Sequence, residues 1–153
     1  MKRKVYVLIP AKGQSKRLKN KNILKINNKT LIEIAIDCVK NNKKVDEIFV
    51  STNSKKIQYL AKNLGVTSYL RQTKYNSNNL PAKSVVIDFI NQFKLAKNSI
   101  IVYLQPTSPL RSSLHVKKAL DKYLKAERKK ILISLIKKNN IILKGFYFKK
   151  KTI

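Results

Sequence analysis

The chain is poor in several residues that usually carry chemistry. It holds one cysteine, Cys38, and one histidine, His115. Cys38 lies within an amphipathic pattern and reads as a small buried hydrophobe, because a catalytic thiol needs an activating base beside it. His115 sits in the first turn of an expected helix and reads as a surface or packing residue. Glycine is scarce, at 3 residues, and neither a G-x-G-x-x-G fingerprint nor a GxxxxGK[ST] loop is present. Acidic residues number only 7 and form no D-x-D pair, so no carboxylate cluster for a hard divalent cation is visible. Their one adjacent pair, Asp46-Glu47, precedes a strand, away from the expected site. No apolar run approaches the roughly 20 residues needed to span a bilayer. After the basic start Met1-Lys2-Arg3-Lys4, the apolar stretch Val5 to Ile9 is too short for a secretory signal. The expectation is a cytoplasmic protein without a membrane partner.

What the chain has is positive charge and a core. The formal net charge is +28 and hydrophobic residues make up 43% of 153 residues. That is one domain with enough apolar matter to bury. The charge suggests polyanionic partners. Yet the basic residues are 30 Lys and only 5 Arg, spread along the whole chain. Lys, Asn and Ile share A- and T-rich codons, so codon bias accounts for much of the charge. Nucleic-acid surfaces favour the planar Arg fork, and no recognition helix, zinc spacing or interleaved aromatics are present. A basic nucleic-acid-binding protein is therefore the lesser alternative.

Strand and helix patterns alternate. Short runs rich in β-branched residues predict strands over 4–9, 47–51, 66–70, 99–104 and 131–136. Apolar residues at helical spacing predict helices over 30–39, 54–64, 81–93 and 113–126. Thr30 and Glu33 form a capping-box pair, Ser54 is an N-cap, and Gly65 lies just past a helix end. Such alternation predicts an α/β fold, a Rossmann-like three-layer sandwich with a mostly parallel sheet. Ligands bind outside the carboxyl ends of such strands, which directs attention to loops 10–22, 71–80 and 105–112.

The first loop reads Pro10-Ala11-Lys12-Gly13-Gln14-Ser15-Lys16-Arg17-Leu18-Lys19-Asn20-Lys21-Asn22. Gly13 permits close backbone approach, and successive N–H groups can form an anion nest. Lys12, Lys16 and Lys21 could neutralise a triphosphate. On charge alone, a solvated basic loop is the simpler reading. The later loop reads Leu104-Gln105-Pro106-Thr107-Ser108-Pro109-Leu110-Arg111. Two prolines stiffen it, and it presents an amide, two hydroxyls and a guanidinium.

The order of residues in both loops resembles the CMP-N-acetylneuraminate synthetases and their relatives for legionaminic and pseudaminic acids. Ala11, Gly13, Ser15, Lys16, Lys21 and Asn22 match the family's first-loop signature, with Lys12 in place of its Arg. The octet 104–111 matches the second hallmark throughout. Val50-Ser51-Thr52-Asn53 resembles V-S-T-D, with Asn53 at the Asp position, where an ordinary turn residue is the alternative. Leu70-Arg71 resembles L-R-P, with an exposed Arg that has no role as the alternative. Residues 75–82 depart from the family's pattern.

The resemblance implies a cytidylyltransferase that moves CMP from CTP to an acidic nine-carbon sugar and releases pyrophosphate. It implies that Lys12, Lys16 and Lys21 hold the phosphates, and that Gly13, Ser15, Asn22 and Arg71 contact the nucleotide. Gln105 and Lys144 would contact the acidic sugar, and Ser108 and Arg111 would mainly shape their loop. Ser134 matches a family serine. Mg2+ is the implied cofactor and a homodimer the implied assembly. The family's acidic magnesium-binding pair and dimerisation element are expected beyond the portion represented here. A shortened relative that binds nucleotide without turnover is the alternative.

Overall fold

The computed structural model describes residues 3–13, 18, 20–72, 74, 81–126 and 131–133. Its centre is strand β1, Val5–Ala11. Val7, Leu8 and Ile9 are each wholly buried, so both faces of β1 are covered, as a continuous apolar run in a parallel sheet requires. Strand β4, Glu47–Thr52, lies beside β1, and β5, Thr67–Leu70, lies beyond it. Strand β6, Ile100–Tyr103, flanks β1 on the other side. All three pairings are parallel. The order β5-β4-β1-β6 reverses direction between β1 and β6. That is the topological switch point of a Rossmann-like sheet, where a crevice opens at the carboxyl ends.

Helices α1, Leu31–Asp37, and α2, Lys55–Asn63, cover one face of the sheet. Ile32, Ala35, Ile36, Ile57 and Ala61 pack there against Val7, Ile9 and Val50. Helix α4, Ser113–Lys125, joins this face through Val116 and Leu120. Helix α3, Ala82–Phe93, covers the opposite face with Val85 and Phe89 on Leu8, Phe49 and Tyr69. Aromatic rings dominate that contact: Phe49 and Phe93 lie 4.6 Å apart between centroids, and Phe49 and Phe89 lie 4.8 Å apart. Tilted pairs of this kind add stabilisation beyond their buried area. The result is the three-layer arrangement expected from the sequence.

Local signals act as their chemistry dictates. Thr30 accepts from the Glu33 N–H while Glu33 accepts from the Thr30 N–H, a complete capping box. Gly65 takes φ +74° after α2, and the N–H groups of Gly65 and Val66 return to the carbonyls of Lys62 and Ala61. That is a Schellman ending, and it needs the left-handed residue that glycine supplies. Thr30→Ala should cost about 1 kcal/mol, read as a lower melting temperature. Hydrogen bonds from Thr30 hold the Glu33 carboxyl below its ordinary range. Their stabilisation is present above the unfolded pKa and is lost as pH falls through the folded one. The variant's deficit should therefore be full at neutral pH and shrink below about pH 4.3.

Two features depart from the expected elements. Residues 24–30 contain a small antiparallel hairpin, β2 (Lys25–Ile26) and β3 (Lys29–Thr30). Its two-residue turn, Asn27-Asn28, has φ 48° and 65°, the double left-handed conformation of a type I′ turn, which Asn tolerates. Ile131, Leu132 and Ile133 are not in a strand, contrary to the strand expected over 131–136. Their exposure of 77%, 37% and 55% shows that nothing among the described residues covers this apolar run. The remainder of that expected strand lies outside the described residues.

Candidate active site

The site is built where the parallel strands end. β1 delivers Lys12 and Gly13, β4 delivers Asn53, β5 delivers Arg71, and β6 delivers Gln105. Because β1 and β6 are adjacent and parallel, the first loop and the Gln105–Arg111 loop emerge at the same end of the sheet.

The start of the first loop is tied down by two side chains. The Gly13 N–H donates to Asn53 Oδ1 at 2.9 Å. Asn22, only 5% exposed, donates from Nδ2 to the Lys12 carbonyl at 2.8 Å. Asn53 is thus a brace for the loop, a role beyond that of a turn residue. Asn22 also braces it, from the single 3-10 turn Lys21–Ile23 that carries Lys21. Gly13 is required by space: a Cβ there would lie 2.5 Å from Ser54 Cβ and 3.0 Å from Ser54 Oγ. Ser54 caps α2 by accepting from the Ile57 N–H and cannot easily retreat.

Arg71 is buried although charged. Its backbone N–H donates to the Thr52 carbonyl at 2.7 Å, and its guanidinium donates to the Ser51 carbonyl at 3.0 Å. Burial makes its charged form less favourable. Burial, and then the nearby Arg71 charge, pushes the Lys12 ammonium below its ordinary range. Two cations held at the carboxyl end of one parallel sheet favour an anion bound near them.

The facing loop is closed by its own hydrogen bonds. The Arg111 guanidinium donates twice to the Gln105 carbonyl, both at 3.2 Å, and the Arg111 N–H returns to the Ser108 carbonyl. Cys38 Sγ donates to the Arg111 carbonyl at 2.9 Å, which fastens the loop to the end of α1, and burial raises the thiol's pKa. Ser108 lies exposed on this turn. His115 completes a capping box with Ser112, which starts α4. Tyr103 stands at the end of β6, where burial raises its hydroxyl's pKa, opposed by the Arg71 charge and by Gln105. Its position as the last residue of β6 was the only sequence signal for it.

The structure therefore gathers Lys12, Gly13, Asn22 and Arg71, with Gln105 across the switch point. Ser15, Lys16, Ser134 and Lys144 lie outside the described residues, as do 75–80.

Residues 6–145 match the family described as Cytidylyltransferase. The chain belongs to this family. An N-acylneuraminate cytidylyltransferase of Escherichia coli is 27% identical over 147 residues, 91% of this chain and 33% of that protein. One from Streptococcus agalactiae is 32% identical over 118 residues, 76% of this chain and 28% of that protein. The chain thus spans about a third of the length of these curated relatives. Among solved structures, a CMP:2-keto-3-deoxy-manno-octonic acid synthetase complexed with CTP superposes with a TM-score of 0.68 at 20% identity, covering 79% of this chain and 47% of that one. This shows the Rossmann-like fold.

The family's expected magnesium meets a poor donor set here. Among the described residues no three His, Cys, Asp or Glu side chains cluster. Asp46 accepts the Val5 N–H at the far end of β1, Asp37 pairs with Lys29 and Lys40, and Asp121 pairs with Lys44. Glu33 caps α1 and Glu47 accepts from Thr67. Asp88, at 2% exposure, is wholly inside. The described residues do not fit the oxygen cage of a hard cation. Among them, no helix is long and apolar enough to cross a membrane.

Proposed function

We propose that this chain binds CTP and transfers its CMP moiety to an acidic sugar of the sialic-acid type. The observation that carries the reading is the placing of Lys12, Arg71 and the Gln105–Arg111 loop at the carboxyl ends of β1, β5 and β6 of one parallel sheet. The anomeric hydroxyl oxygen of the sugar forms a bond to the α-phosphorus of CTP. The bond from that phosphorus to the bridging oxygen breaks, pyrophosphate leaves, and the hydroxyl proton passes to solvent. The work of the protein is orientation and charge neutralisation. Lys12 and Arg71 lower the cost of charge on the phosphoryl oxygens, with Lys16 and Lys21 assigned to the leaving pyrophosphate. Asn22 holds the Lys12 carbonyl and so aims the loop. Gln105 and Lys144 are assigned to the sugar acid, as amide donor and counter-charge. Sialic-acid-type sugars are preferred over an eight-carbon keto acid because the octet 104–111 is intact.

CTP at 100 times its Kd should stabilise the protein by about 2.7 kcal/mol, a rise of roughly 5–10 °C, with ATP and GTP far less effective. Equal shifts from every triphosphate and from heparin, collapsing with salt, would instead mark a general polyanion binder. Pyrophosphate release is then measured with CTP, magnesium and nine-carbon or eight-carbon acidic sugars. Release with the nine-carbon sugars is the expected result. A CTP-dependent shift without release from any sugar points to a nucleotide-binding relative that does not turn over.

A further inference from the structure

The carbonyl of Lys12 and the N–H of Gly13 belong to one peptide group, and an asparagine holds each end of it. Asn22 Nδ2 donates to the carbonyl at 2.8 Å. Asn53 Oδ1 accepts the N–H at 2.9 Å. In a trans peptide the two groups point in opposite directions. The two side chains therefore grip the plane from opposite sides and fix its rotation, which sets how Lys12 leaves the backbone. The Gly13 N–H is already committed to Asn53, so it is not one of the free donors that an anion nest in this loop calls for.

The sheet register shows what this grip connects. The last partners in the ladder are Ala11, Thr52 and Leu70 on β1, β4 and β5. Lys12, Asn53 and Arg71 are the next residues along each strand, one row beyond the ladder. On one side of β4, the Thr52 carbonyl accepts the Arg71 N–H at 2.7 Å and the Ser51 carbonyl accepts its guanidinium at 3.0 Å. On the other side Asn53 holds Gly13. Thr52 Oγ1 accepts the Ser54 N–H at 3.1 Å, which closes the backbone turn around Asn53. Ser51 and Thr52 are wholly buried, so the anchor is firm, whereas Asn53 is exposed and its replacement opens no cavity in the core.

We propose that Asn53 is a positioning residue that extends the register of the sheet one row past its end, holding the Lys12–Gly13 peptide in step with Arg71 so that both cations meet one anion. Its effect on nucleotide rests on the CTP reading above, whereas its hold on Gly13 does not. The two asparagines have opposite tasks. Position 53 needs an acceptor and position 22 needs a donor. An ionised aspartate accepts and cannot donate, so the same substitution should be tolerated at 53 and damaging at 22.

The chain has only 3 glycines, so labelling the full chain with 15N-glycine gives one amide signal for each, and Gly13→Ala identifies that of Gly13. In Asn53→Ala the exchange of this amide with water should quicken at least ~10-fold, and the CTP Kd should rise about tenfold. Asn53→Asp keeps the acceptor. Exchange should stay slow there and the Kd should stay within about fivefold, the reach of one exposed charge pair. Asn22→Asp should quicken Gly13 exchange through the shared peptide, although residue 22 bonds to Lys12. Asn53→Ser, whose hydroxyl is too short to reach Gly13, carries the test if Asn53→Ala does not fold. In the Lys12→Met background Asn53→Ala should raise the Kd no further, a result that general loosening of the fold would not produce. Slow Gly13 exchange in both Asn53→Ala and Asn53→Ser overturns the proposal, as does equal damage from Asn53→Asp and Asn53→Ala. Tighter CTP binding in Asn53→Ala also overturns it, since the released N–H would then serve the phosphates. If the wild type binds no CTP while Gly13 exchange still follows the acceptor at 53, the functional reading fails and the hold of Asn53 on the loop stands.

Discussion

Arg71→Met is expected to weaken CTP binding by about 100-fold, since a charge-assisted contact is worth roughly 1.5–3 kcal/mol, while the melting temperature stays within about 4 °C. The two effects separate because the guanidinium is costly where it lies. It is nearly enclosed, desolvated, and close to the Lys12 ammonium. Methionine fills a similar volume without a buried charge, and such replacements are often neutral for stability. The carbonyl of Ser51 loses a donor, which offsets part of the gain. Asp88 is left without its cation, but burial already raises its pKa, so it can become neutral by taking a proton. Isothermal titration with CTP and a thermal melt on the same sample check both halves. An unchanged Kd would remove Arg71 from the site and leave Lys12 without its partner cation for phosphate.

Gly13→Ala should act in the opposite order, on the fold first and on the ligand through it. The added methyl would meet Ser54 Cβ at 2.5 Å, well inside van der Waals contact. Overpacking of this kind costs about 1–3 kcal/mol, or roughly 2–12 °C for a chain of this size. The strain is released by moving the loop away from α2, which breaks the Gly13 N–H bond to Asn53 and turns Lys12 from Arg71. CTP affinity should therefore fall about tenfold with the stability, since one misplaced contact in a coupled network is worth up to about 3 kcal/mol. Ser54→Gly in the same chain removes the obstructing Cβ and weakens the α2 cap by only a few tenths of a kcal/mol. It should restore most of the loss in both measurements. Failure of that rescue would place the damage in the backbone conformation of Gly13 and not in its clearance.

Much of this was legible because it is local. The β-branched run at 5–9 could not be exposed on either face, which is why β1 lies at the centre of the sheet. Thr30 with Glu33, and Gly65 after α2, are chemical signals only a few residues long. The loop sequences 10–22 and 104–111 follow β1 and β6, adjacent parallel strands that bring both loops to one end of the sheet. The hairpin at 25–30 was missed because Asn27-Asn28 lacks the glycine that usually announces a type I′ turn. The strand expected over 131–136 was read from apolar β-branched residues alone. Composition of that kind cannot state whether a neighbouring edge will pair with it, and 131–133 are exposed and pair with no strand among the described residues.

The braces of the site were illegible for a different reason. Asn53 holds Gly13 across 40 residues of chain, and Cys38 holds Arg111 across 73. By itself the sequence determined the alternation of strand and helix, the central strand and the two loops that bear the site, since periodicity and capping act over a few residues. Only the tertiary structure decided that Lys12 and Arg71 share one electrostatic neighbourhood, and that Tyr103 and Asp88 act on Arg71 within it. Those pairings depend on strand order and on the crossing of α3 to the other face, which no local pattern encodes.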